Sequence, residues 1–149
     1  MSIIKKIGGL VVLAALLLLQ TCAPEDDADI PYIRFDDIYV NIGLPEYFSL
    51  QSIGSYAYID GGVKGIILFR KGENLFYAFE RNCPFTPNEA CATVEVDVTG
   101  LQIVDPCCGS VFTLEGIPIG GPANRELRRY NAIFENGTVI ISDDVLNGI

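Results

Sequence analysis

From Tyr32 onward, apolar residues come in runs of four to seven, separated by turn formers, and no stretch has the three-to-four spacing of a long amphipathic helix. The runs predict strands at Ile38–Ile42, Tyr56–Ile59, Gly65–Arg70, Leu75–Phe79, Val94–Val98, Leu101–Val104, Val111–Leu114, Arg128–Phe134 and Thr138–Ser142. Between them lie Asp60-Gly61-Gly62, Lys71-Gly72-Glu73-Asn74, Thr99-Gly100 and Asn136-Gly137, which supply the positive-φ positions that tight hairpins need. The segment Gly43–Ser55 carries the weakest pattern and reads as loop or a single helical turn. Phe69, Phe76, Tyr77, Phe79 and Phe112 fall at strand positions suited to a packed core. The pattern as a whole predicts an all-β protein, an antiparallel sandwich or small barrel.

The first thirty residues depart from this pattern. Lys5 and Lys6 precede an unbroken apolar run, Ile7 to Leu19, and then Leu19-Gln20-Thr21-Cys22. The run is short for a bilayer span, which favours a cleaved secretion signal. A leucine three residues before a cysteine resembles the lipobox of bacterial lipoproteins, with Thr21 where Gly, Ala or Ser is commoner. The expected organisation is a signal peptide over 1–21, a lipidated Cys22 with an acidic tether over 22–31, and one β domain over 32–149. Cleavage takes the basic count from 10 to 8 against 19 acidic residues, moving the formal charge from −9 to −11. So acidic a chain makes nucleic acid and bare anionic lipid poor partners, and no nucleic acid is expected. The tether Ala23-Pro24-Glu25-Asp26-Asp27-Ala28-Asp29 is too polar to pack. Acidic residues directly behind a lipidated cysteine resemble the signal that sends Bacteroidota-type lipoproteins to the outer face of the outer membrane. The periplasmic face is the alternative.

The chain contains no histidine. That removes the commonest general base and nitrogen ligand, and with it serine–histidine and cysteine–histidine nucleophile pairs. No phosphate-binding glycine loop is present either, so no catalytic residue, small-molecule substrate or enzymatic activity is expected. Besides Cys22 there are four cysteines, Cys83, Cys91, Cys107 and Cys108, and an even number in an exported domain reads first as disulfides.

The residues around these cysteines are more specific. Asn82-Cys83-Pro84-Phe85 follows the predicted hairpin of Gly65–Arg70 and Leu75–Phe79. Asp105-Pro106-Cys107-Cys108-Gly109-Ser110-Val111-Phe112 comes next, then Gly121-Pro122-Ala123. This order resembles the Rieske iron–sulfur domain, in which a Cys-x-His box and a Cys-x-x-His box hold a two-iron cluster at the tips of two loops, beneath a Gly-Pro-Ala loop. The family's second box is often written Cys-Pro-x-His-Gly-Ser-x-Phe. The resemblance implies a Rieske-like sandwich or barrel with a disulfide-stapled two-loop tip. Carried over residue by residue, the ligand positions fall on Cys83, Phe85, Asp105 and Cys108, of which only Cys83 keeps the family's ligand type. The cluster is therefore expected to be absent, and no other metal is expected in its place.

Rieske domains of the respiratory type also tie their two loops with a disulfide, and this implies a Cys91–Cys107 bond. Cys83 and Cys108 then remain, at former ligand positions, and the resemblance implies that they too are bonded where the cluster would sit. A vicinal Cys107–Cys108 bond is the least favoured pairing. A site of four thiolates for zinc or an iron–sulfur cluster, and a redox-active disulfide, stay open as alternatives. Asp105 reads as a turn former or a cation ligand. Phe85 plugs the vacated space or adds to an apolar docking patch. Arg125, Arg128 and Arg129 offset nearby acidic residues or meet an acidic partner. The functional expectation is a non-enzymatic, lipid-anchored accessory or binding subunit of an outer-membrane complex, a β-barrel assembly being a natural partner. An electron carrier with a variant [2Fe-2S] or other cysteine-ligated centre is the alternative.

Overall fold

The structure is a computed structural model that describes residues 29–146. Ten strands follow in chain order: β1 (Ile38–Asn41), β2 (Tyr56–Ile59), β3 (Ile66–Arg70), β4 (Phe76–Glu80), β5 (Glu95–Val96), β6 (Gln102–Val104), β7 (Val111–Thr113), β8 (Pro118–Gly120), β9 (Arg129–Glu135) and β10 (Thr138–Leu146). They form a six-stranded sheet ordered β1-β10-β9-β4-β3-β2 and a four-stranded sheet ordered β5-β6-β7-β8. All pairings are antiparallel. The all-β architecture expected from the sequence is the one observed, and each of the nine predicted runs contains or overlaps a strand.

β3 and β4 hold the two sheets together. Ile66, Leu68, Phe76 and Ala78 point into a core shared with Val40, Tyr130, Val139 and Ile141, while Ile67 and Phe79 point the other way. There they meet Val94, Ile103, Phe112 and Leu127 in a second core under the small sheet. A strand buried on both faces cannot alternate apolar with polar residues, which explains the unbroken Ile66-Ile67-Leu68-Phe69. Leu50, on a 3-10 helix at Pro45–Gln51, caps the first core from the segment that carried the weakest sequence pattern.

Several details differ from the sequence expectations. Strand β8 was not expected, since Pro118-Ile119-Gly120 is too short and poor in β formers to stand out; it pairs with β7 across a register shift. Strand β10 runs on to Leu146 past an irregularity between Ser142 and Val145. The hairpin at Asn136-Gly137 has both residues at positive φ, 51° and 79°, as a tight turn of this type requires. The Lys71–Asn74 turn manages without a left-handed glycine, since the Lys71 and Gly72 amides both donate to the Leu75 carbonyl.

The chain is fastened to the domain from Asp29 onward. Arg125 pairs with Asp29 at 2.9 Å, Ile30 is buried, and the Arg128 guanidinium donates to the carbonyls of Ile30 and Pro31. The signal segment, Cys22 and most of the acidic tether lie outside the described residues. Among the described residues, no helix is long and apolar enough to cross a membrane.

Candidate functional site

Three loops at one end of the second core meet around Cys83, Asp105 and Cys108. The connection from β6 to β7 is a tight turn in which the Asp105 amide donates to the Ser110 carbonyl at 2.9 Å and the Gly109 amide donates to the Asp105 carbonyl at 2.8 Å. The Asp105 side chain completes this turn, its Oδ1 accepting from the Cys107 amide at 2.8 Å. The second loop follows β4. Its path is set by the Asn82 amide donating to Glu80 Oε1 at 2.9 Å and by the Cys83 amide donating to the Ala92 carbonyl at 3.2 Å. The third loop carries Gly121-Pro122-Ala123. A Cβ on Gly121 would lie 2.4 Å from the Gly109 carbonyl oxygen, and its φ is +78°, so glycine alone lets this loop rest on the turn. Ala123 then donates its amide to Ser110 Oγ at 3.1 Å.

At the centre, Cys83 Sγ lies 3.8 Å from Cys108 Sγ, and Cys108 Sγ lies 3.1 Å from Asp105 Oδ2 and 3.0 Å from Ser110 Oγ. Cys83, Asp105 and Ser110 are fully buried, and Cys108 is half-buried. With Asp105 accepting, the Cys108 thiol is the donor to Oδ2. Ser110 Oγ already accepts from Ala123, so its own proton is directed at the Cys108 sulfur. Burial pushes the Cys83 thiol far above its ordinary range, and a hydrogen bond to Asp105 pushes the same way; the Phe85 amide opposes them. Without a nearby cation, Cys83 therefore holds its proton and is a poor nucleophile.

The structure treats the two implied disulfides differently. Cys91 and Cys107 are bonded, with Cα atoms 5.5 Å apart, and join the two loops at their exposed edge. The Cys83–Cys108 bond implied by the resemblance is not formed: both residues are free thiols. The physical reason is that Asp105 and Ser110 give the Cys108 sulfur polar partners, which hold it at contact distance from Cys83. Adjacent Cys107 and Cys108 do face different partners. A site of four thiolates is thereby excluded, since two of the four sulfurs are consumed in a bond.

Of the four positions to which the resemblance assigns ligands, Cys83, Asp105 and Cys108 place their donor atoms within 4.8 Å of one another. Phe85 packs, half-buried, against the second core and offers no donor. A two-iron cluster is held by four protein ligands, two of them histidines in the Rieske type. Three converging donors and no imidazole do not fit that group. Asp105 turns out to be both a turn former, through Oδ1, and a member of the polar cluster, through Oδ2. Cys22 lies outside the described residues.

Two participants were not singled out from the sequence. Ser110 stands inside the Cys107-Cys108-Gly109-Ser110 motif, two residues after Cys108, and that proximity was the available signal. Glu80, whose Oε1 holds the Asn82 amide and with it the second loop, gave none. The arginines line a cleft of about 540 Å³ with Glu115, Glu126 and Phe79. Arg125 meets Asp29, Arg128 clasps Ile30 and Pro31, and Arg129 lies over the Tyr77 ring at 5.1 Å. Their visible work is to hold the start of the domain and one strand face.

No family model and no curated protein matches the chain. Among solved structures, it is similar to a chain from a complex of reduced oxygenase and oxidized ferredoxin in carbazole 1,9a-dioxygenase, with 20% sequence identity and a TM-score of 0.47, covering 65% of this chain and 88% of that one.

Proposed function

We propose that the protein is a non-enzymatic lipoprotein of the outer membrane, anchored through lipid on Cys22, whose Rieske-like domain has given up the two-iron cluster and serves as an accessory or binding subunit of an envelope complex. The observation that carries the reading is the donor set at the tip: two sulfurs and a carboxylate converge, Phe85, at the further position the resemblance assigns, packs against the core and offers no donor, and no histidine exists in the chain. Such a tip is shaped and stapled but is not equipped for cluster-borne electron transfer. The leader ending in Leu19-Gln20-Thr21-Cys22 supports export and lipidation, and the acidic residues behind it support the outer face of the outer membrane. The exposed Cys91–Cys107 bond suits an oxidising compartment. A β-barrel assembly of that membrane is the partner class that such an anchor brings within reach.

The test combines location with colour. The native protein should take up radiolabelled palmitate and fractionate with the outer membrane, and Cys22→Ala should abolish both. Surface proteolysis of intact cells separates the outer from the periplasmic face. The purified protein should lack the visible absorption of an iron–sulfur centre. A red-brown protein with two irons and inorganic sulfide would establish the electron-carrier alternative instead, and Cys22→Ala protein that remained lipid-labelled would sink the anchor.

A further inference from the structure

We propose that Cys83, Cys108 and Asp105 form a mononuclear site for a soft divalent cation of the zinc type, with a fourth position left open on the Cys108 side. This inference rests on the geometry of the tip alone and stands whether or not the chain is lipidated.

Distance is the first argument. Two thiolates bound to zinc at about 2.3 Å in a tetrahedron lie about 3.8 Å apart, and a thiolate and a carboxylate oxygen about 3.5 Å apart. The two sulfurs here are 3.8 Å apart, and Cys108 Sγ is 3.1 Å from Asp105 Oδ2. All three donor atoms lie within 4.8 Å of one another, so a cation entering among them replaces the thiol protons and draws the carboxylate into the tetrahedral spacing.

Outer support is the second argument. Metal ligands are ordinarily oriented by hydrogen bonds on the side away from the metal. Asp105 has this division of labour, since Oδ1 is held by the Cys107 amide at 2.8 Å and Oδ2 is turned to the sulfurs. Ser110 Oγ, itself held by the Ala123 amide, supports the Cys108 sulfur. The Cys91–Cys107 bond and the Gly121 contact fix the loops that carry these groups.

Donor chemistry is the third argument. Two thiolates with one carboxylate select a soft to borderline cation over calcium or magnesium, which take oxygen alone. Three charged donors against a dication leave one negative charge, so the open position accepts a neutral ligand such as water or a partner's side chain. Cys83 and Asp105 are fully buried and Cys108 is half-buried, so access comes from the Cys108 side. Three protein ligands with an open position distinguish the site from a closed structural one.

The experiment is a titration of the full chain, purified in detergent under reducing and chelator-free conditions, with cobalt(II) as the spectroscopic stand-in for zinc. The expected result is one equivalent bound, with tetrahedral visible bands and a thiolate-to-metal charge-transfer band sized for two sulfurs, all displaced by zinc. Cys83→Ser or Cys108→Ser should reduce the charge-transfer intensity by about half or abolish binding. Ser110→Ala, which keeps all three ligands, should weaken affinity by about 10- to 100-fold, the usual effect of losing outer support. Elemental analysis of protein isolated without added metal should find zinc. Absence of stoichiometric cobalt binding by folded wild-type protein with two free thiols would overturn the proposal. So would a Cys83–Cys108 disulfide in the natively isolated protein, or a two-iron centre at these residues. Because the wild-type titration decides the matter, a variant that fails to fold leaves the proposal exposed to refutation.

Discussion

Glu80 is fully buried at the end of β4, and its carboxylate is surrounded by donors: the amides of Val63 at 2.7 Å, Lys64 at 2.9 Å and Asn82 at 2.9 Å, and the Tyr130 hydroxyl at 2.7 Å. A buried charge survives only when it is satisfied in this way. The arrangement binds three distant pieces of chain, the Gly61–Lys64 turn, the loop to Cys83 and strand β9, to a single side chain. Removing one donor costs more than a neutral hydrogen bond, because the acceptor is charged and stays buried. Tyr130→Phe should therefore destabilise the fold by about 1.5–3 kcal/mol, measured by urea unfolding at neutral pH. Burial first, and then the bond to Glu80, raise the Tyr130 hydroxyl well above its ordinary range. The native state thus holds this proton where the unfolded chain releases it. Its contribution is complete below the unfolded value of 10.0 and is lost as pH rises above that value toward the folded one. Stability measured from pH 8 to about 11 should fall less steeply in Tyr130→Phe than in the wild type; equal slopes would contradict this role. The sequence placed Glu80 only one residue beyond a predicted strand, on the same face as Phe76 and Ala78. That its charge is buried depends on Tyr130, 50 residues away, and on the Gly61-Gly62 turn folding over it; the turn was readable, but neither contact leaves a trace in the sequence around Glu80.

The tip shows how short elements made of turn residues can position chemistry. The expected strands were readable because β2, β3, β4 and β9 carry runs of β-branched and aromatic residues. Strand β8 was not, because its three residues are Pro118, Ile119 and Gly120. The Cys91–Cys107 pairing followed from the motif resemblance, whereas the state of Cys83 and Cys108 depended on what Asp105 and Ser110 do in three dimensions. Gly121 is where this element is most exposed to mutation. Adding a methyl group there forces a side chain into a left-handed conformation and against Gly109 and Ser110 backbone, 2.4 and 2.5 Å away. Backbone cannot yield as a flexible side chain does, so the Gly121–Ala123 loop must lift and release the Ala123–Ser110 bond. Gly121→Ala should cost about 1–3 kcal/mol and increase the rate at which a small alkylating reagent modifies Cys108. An unchanged alkylation rate at lowered stability would mean that the loop strains without uncovering the sulfurs.

The molecule as a whole is two cores divided by one pair of strands, and the two sides are not equally strong. The first core lies within a six-stranded sheet whose β9–β10 hairpin alone pairs Thr138–Ser142 with Asn131–Glu135. The small sheet is built from strands of two or three residues, with few ladder bonds of its own. It is held by the second core and by the Cys91–Cys107 bond between the loops flanking β5 and β6. Such a unit opens without the rest when its closure weakens, because local openings follow the boundaries of contact density. The disulfide closes a span of 16 residues and contributes about 3 kcal/mol on the chain-entropy model. Paired Cys91→Ser and Cys107→Ser substitutions should therefore lower the opening free energy of β5–β7 by about 3 kcal/mol, or roughly two orders of magnitude in amide exchange. Amides at Ile103 and Val104 should show this loss under native conditions, while those of Ile67, Leu68 and Tyr130 retain most of their protection. An equal loss across both sheets would show instead that the two cores unfold as one unit. The predicted asymmetry also has a functional side, since the weaker unit carries Asp105, Cys108 and Ser110, whereas Cys83 packs in the second core but follows directly from β4 of the large sheet. A cation bound across that boundary would tie the two units together, and its addition to the double variant should restore part of the lost protection in β6 and β7.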